Sequence, residues 1–133
     1  MSRVLERSER SASFDPERLE AVGLKAFGRV MEAWKIRNAD AAALLGVSSR
    51  TWSRVKTGEA VRLTADNLDR ISAVVGIYKG LHLYFSDALA NRWVRLENKG
   101  PPFQDRTPLA YMIGGLPNLL ATRAYVDALR GGL

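Results

Sequence analysis

Between Leu63 and Leu89 the chain carries more apolar surface than one side of a helix can hide. Leu68, Ile71, Val75, Tyr78, Phe85 and Leu89 recur at helical spacing on one stripe, with Val74, Ile77, Leu81 and Tyr84 on the stripe beside it. A helix at a protein surface shows a single apolar stripe, so this one must be central to a core or part of an interface. Thr64 is placed to cap its start. Ser72, Gly76 and Gly80 fall four apart along it. Each interior Gly costs about 1 kcal/mol against Ala, so the spacing marks either the close approach of another helix or a break near Gly80.

The remaining segments also read as helices. Asp15-Pro16-Glu17 is a helix start, with Asp15 as N-cap and Pro16 in the first turn. Leu19, Val22, Ala26, Val30 and Trp34 then define one apolar face. After a Pro/Gly loop at 99–106, Thr107-Pro108 opens a short helix that Gly114-Gly115 end, and Leu116-Pro117 launches a last one. No stretch sustains the period-two alternation of a half-buried strand. The expected fold is all-α, divided into a mobile N-terminal arm (1–14), a helix-turn-helix bundle of the Xre/Cro-like kind (15–70) and a small helical C-terminal domain (71–133).

Residues 38–57 carry the helix-turn-helix signature. Asp40 to Leu45 form the first helix, Gly46-Val47-Ser48 the turn, and Ser49 to Lys56 the second helix. Ala42 is small where the helices cross, and Gly46 permits the positive φ of a sharp turn. Leu45, Val47, Trp52 and Val55 point inward, and Ser48 caps the second helix. Ser49, Arg50, Thr51, Ser53, Arg54 and Lys56 are left outward. The first residues of a recognition helix meet base edges while cations and amides meet phosphates. Arg50, Thr51 and Arg54 are therefore assigned to bases, and Ser49, Ser53 and Lys56 to phosphates.

Charge agrees with a polyanion partner. The net charge is +6, and 15 of the 20 cations are Arg, whose planar fork suits phosphates and base edges. Small readers of this kind gain affinity by pairing on two half-sites, so a homodimer is expected, through the Ser72–Gly80 groove or the first helix. Enzymatic chemistry finds no support: there is no Cys, and the single His82 lies in an apolar helix. The acidic pairs Glu6/Glu9, Asp15/Glu17 and Asp66/Asp69 sit where caps and first-turn charges belong. We expect no metal, no cofactor, no membrane span and a cytoplasmic location.

Three blocks together resemble a known family. They are Ala42 to Thr51 with Gly58 closing; Leu68-Asp69-Arg70-Ile71 running to Leu83-Tyr84-Phe85; and Trp93, Glu97-Asn98, Phe103, Thr107-Pro108-Leu109 and Gly114-Gly115. In this order they resemble the Xre-type antitoxins (the Xre/MbcA/ParS group) encoded beside RES-domain toxins, with the stiff Lys99-Gly100-Pro101-Pro102 stretch as a departure. The resemblance implies an antitoxin whose C-terminal domain clamps a toxin that consumes NAD or transfers its ADP-ribose, and which represses its own operon. It also implies that the last residues enter the toxin's NAD pocket, which here means Tyr125, Arg130, Gly131, Gly132 and Leu133. Read without the family, Arg130 and Gly131-Gly132 simply end a helix. The rival function is a stand-alone transcriptional regulator whose C-terminal domain dimerises or senses a ligand.

Overall fold

The computed structural model describes residues 15–131, apart from the side chain of Arg130. Expectations for the arm 1–14, the Arg130 side chain, Gly132 and Leu133 fall outside the described residues. Among those residues every regular element is helical: α1 (Pro16–Ala33), α2 (Asn38–Leu45), α3 (Ser49–Lys56), α4 (Ala65–Tyr84), α5 (Asp87–Arg92), a 3-10 turn (Trp93–Arg95), α6 (Pro108–Met112) and α7 (Leu116–Arg130).

The helix starts follow from local hydrogen bonding. The Glu17 N–H donates to the Asp15 carboxylate at 3.2 Å, and the Ala110 N–H donates to the Thr107 hydroxyl at 3.1 Å. At α4 the cap is reciprocal. The Asn67 N–H donates to Thr64 Oγ1, and Asn67 Oδ1 accepts from the Thr64 N–H at 2.9 Å. Such a capping box satisfies two of the amides that a helix start leaves without partners.

α4 is the central helix. Ile71, Ala73, Val74, Ile77 and Leu81 are buried along it, and α1 and α7 both pack on it. Phe27, Val30, Met31 and Trp34 come from α1, and Leu119, Thr122 and Val126 from α7. The glycine spacing proves to be a packing device. α4 runs through Gly76 and Gly80 without interruption, and a Cβ on Gly80 would lie 2.6 Å from Val126 Cγ1. One on Gly76 would lie 2.6 Å from the Arg123 guanidinium carbon. The chain's own last helix thus occupies the stretch near Gly80 that was expected as a dimer contact.

Two expectations are corrected here. The apolar run does not continue to Leu89 as one helix: Phe85 turns extended, and α5 starts anew behind Ser86. Apolar periodicity is blind to this break because both helices face the same core. On α1 the face shifts, because Phe27 and Met31 join Val30 and Trp34 in the core while Leu19 and Val22 stay 50% and 62% exposed. The proposed division at residue 70 lies inside α4, so the two regions share that helix.

The Pro/Gly loop serves to insert one ring. Its neck is closed at Asn98, whose N–H donates to the Arg106 carbonyl at 3.1 Å and whose carbonyl accepts from the Asp105 N–H at 2.9 Å. Gln104 and Asp105 adopt positive φ, which helps turn so short a path back on itself. Phe103 is thereby held fully buried. Its ring packs edge-on against Trp93 (5.6 Å), Tyr125 (5.2 Å) and Tyr111 (5.5 Å), while Tyr125 stacks on Trp93. Edge-on and offset pairs are the arrangements the ring quadrupoles favour.

Candidate nucleic-acid interface

α2 stops where Gly46 takes φ +80°, a left-handed conformation open to Gly at little cost. The Gly46 N–H then bonds the Ala42 carbonyl at 2.9 Å, as does that of Val47 at 3.0 Å. Ser48 launches α3: its hydroxyl accepts from the Thr51 N–H at 3.1 Å and donates to Thr51 Oγ1 at 3.0 Å. Leu44 and Leu45 are buried beneath the turn, and Trp52 anchors α3 with its ring edge-on to Phe27 at 5.6 Å.

The turn is also held from outside the motif, by residues that sequence reasoning missed. Asn67, only 5% exposed, donates from Nδ2 to the Leu45 carbonyl at 2.8 Å. Arg70 donates to the Ala43 carbonyl at 3.2 Å while pairing with Asp66 at 2.8 Å. Together they satisfy carbonyls that the end of α2 leaves open. Their contact explains Gly46 a second time, since a Cβ there would stand 2.9 Å from Arg70 Nε. Asn38 was also missed. Its Oδ1 accepts from Trp52 Nε1 at 3.2 Å and from Lys56 Nζ at 3.0 Å, tying both ends of the motif together. These partners lie 14 to 27 residues apart, so no local pattern announces them.

The six residues assigned to DNA share α3 and its polar side but are not equally available. Ser49, Arg50, Ser53, Arg54 and Lys56 are exposed or nearly so; Thr51 is half-buried. The Thr51 hydroxyl is engaged by Ser48, so its assignment to a base competes with the helix cap. Arg54 lies 3.8 Å from Glu59 with both side chains more than half exposed, a pairing that water and salt weaken. Lys56 leans on Asn38. Arg50, in the first turn of α3, has no ion pair among the described residues. Arg37, absent from the sequence assignment, stands exposed at the start of α2, 3.4 Å from Asp40.

The family model described as the antitoxin Xre-like helix-turn-helix domain matches residues 13–76. The chain is also 33% identical over 125 residues to the uncharacterized protein y4oB of Sinorhizobium fredii (strain NBRC 101917 / NGR234), covering 92% of this chain and 94% of that relative. The chain carries an antitoxin Xre-like helix-turn-helix domain. That domain supports a DNA-binding antitoxin role. The matched region takes in the whole reader and ends within α4, at the glycine on which Arg123 rests.

The other expected site lies at the end of α7. Tyr125, expected there, is half-buried, its ring stacked on Trp93 and edge-on to Phe103 in the aromatic cluster. Gly131 is exposed at the helix end. His82 places Nδ1 2.9 Å from the Tyr78 carbonyl and rests its ring on Tyr78, in keeping with a half-buried structural histidine. Among the described residues no group of His, Cys, Asp or Glu is arranged to hold a metal, and no helix is long and apolar enough to cross a membrane.

Proposed function

We propose that this protein is a homodimeric, cytoplasmic antitoxin that reads operator DNA with α3, represses its own operon and neutralises an NAD-consuming RES-domain toxin. The carrying observation is Arg50 exposed on a recognition helix whose position is held by Trp52, Asn67 and Arg70, in a chain that carries an antitoxin Xre-like helix-turn-helix domain. Arg50 reads a base edge, Arg54 leaves its weak pairing with Glu59 for a second one, and Lys56, Ser49 and Ser53 meet phosphates. Neutralisation falls to the residues from Arg130 through Gly131, Gly132 and Leu133, which enter the toxin's NAD cleft; Tyr125 steadies the helix that delivers them.

Two substitutions test the two halves separately. Arg50→Ala will weaken operator binding by about 1–3 kcal/mol, or roughly 5- to 150-fold, without equal loss on unrelated DNA. Titration of both duplexes at one salt concentration measures it, and an equal loss on both would make Arg50 a phosphate contact. A chain ending at Arg130 should still bind the operator but protect cells poorly from the co-expressed toxin. Full protection by that chain would remove the insertion from the proposal.

The rival reading, a stand-alone regulator, gains from one feature. Leu119, Thr122 and Val126 commit α7 to this molecule's own core. Co-purification with the neighbouring gene product, followed by an NAD-consumption assay, separates the two.

A further inference from the structure

The three cations of α3 are held in three different ways. Arg50 has no ion pair among the described residues, and Arg54 faces a carboxylate, Glu59, at 3.8 Å. Lys56 is held by a neutral group instead: its ammonium donates to Asn38 Oδ1 at 3.0 Å. No carboxylate lies within ion-pair distance of it among the described residues. The same oxygen accepts from Trp52 Nε1 at 3.2 Å. An indole N–H can only donate, so it dictates which end of the Asn38 amide faces α3. Trp52 is packed into the core, 4% exposed and edge-on to Phe27 at 5.6 Å. A carbonyl oxygen has two lone pairs, and the second is left for Lys56. A buried ring one turn earlier on α3 thus sets the place of the ammonium, through a single amide on α2.

We infer that Asn38 is a positioning residue for DNA binding: it aims Lys56 at a phosphate and leaves the charge of Lys56 whole. The inference rests on the DNA-reading half of the proposed function and names what makes Lys56 effective there. An ammonium has three N–H donors. Lys56 spends one on Asn38, so two remain for phosphate oxygens. A lysine held in advance also gives up less rotamer freedom when it binds. Neutrality matters as much as aim. A carboxylate at position 38 would accept the same two hydrogen bonds but offset the ammonium's field, and the attraction to phosphate would fall with it.

Titration of the full chain against a duplex from the region upstream of its own gene, over a range of salt concentrations, tests it. Asn38→Asp should keep the melting temperature, since both hydrogen bonds survive and a carboxylate suits a helix start. It should nevertheless flatten the dependence of log affinity on log salt by about 0.9 for each reader bound, the increment of one phosphate contact. Asn38→Ala should weaken binding about three- to tenfold in the otherwise wild-type chain, but less than about twofold in a Lys56→Ala background, because the pair acts as one unit. A residue that merely props up Trp52 would cost the same factor in both backgrounds, and that result overturns the inference. So does an Asn38→Asp chain with the salt dependence of the wild type. A wild-type chain that does not prefer this duplex to unrelated DNA overturns the DNA reading together with this inference. A preference that stands while the two Asn38→Ala losses are equal overturns this inference alone.

Discussion

Phe103→Ala will lower stability by about 3–5 kcal/mol, the usual cost of emptying a buried aromatic site. The melting temperature should fall by roughly 10–20 °C for a chain of this size. Phe103 is fully buried, and three other aromatic rings lie against it. Those rings come from the 3-10 turn, α6 and α7, so removing the shared one opens a cavity bounded by three separate elements. Collapse into that space is opposed by the loop neck, where both backbone groups of Asn98 are already bonded. Thermal melting followed by circular dichroism measures the effect. A loss under about 1 kcal/mol would mean that the loop follows the cavity inward and that the cluster is not a rigid support.

The second large effect belongs to Asn67→Ala, expected to cost about 2–3 kcal/mol and to weaken operator binding as well. The amide bonds the Thr64 N–H on one side and the Leu45 carbonyl on the other, and a buried polar group left without its partner costs about 1–3 kcal/mol. Asn67→Asp separates the two halves of the role. A carboxylate would keep the bond to Thr64 and gain about 0.3–1 kcal/mol from the helix start. It would lose the donor to Leu45 and place negative charge near a carbonyl in a nearly dry site, which costs more. Asp should thus destabilise despite the favourable dipole. Denaturant unfolding gives the stability, and operator titration under native conditions gives the effect on the reader.

Helix starts were legible in the sequence because their determinants are local. Asp15-Pro16, Ser48, Thr64 and Thr107-Pro108 each act on amides two or three residues away. Gly46 was legible for the same reason, since the turn needs its positive φ. The spacing of Gly76 and Gly80 revealed that something must lie close, but not that α7 of the same chain would do so. Leu19 and Val22 continue the apolar pattern of α1 yet stay exposed, since periodicity records which side of a helix is apolar and not how far its neighbour extends. On α3 the polar face was readable, whereas the preoccupation of Thr51 with Ser48, the hold of Asn38 on Lys56 and the Asn67–Arg70 contacts depend on tertiary placement. Tyr125 drew a functional assignment from the family resemblance alone, and its packing against Trp93 and Phe103 arises only once the 99–106 loop closes.

α4 joins the clamp on the reading motif to the seat of the last helix, with Asn67 and Arg70 near its beginning and Gly76 and Gly80 farther on. Each residue inserted into a helix rotates the downstream side chains by about 100° and advances them by about 1.5 Å. Exchange of the two halves between relatives must therefore preserve helical phase at the junction. A hybrid joined one residue out of step would keep every side chain it needs and aim half of them in the wrong direction.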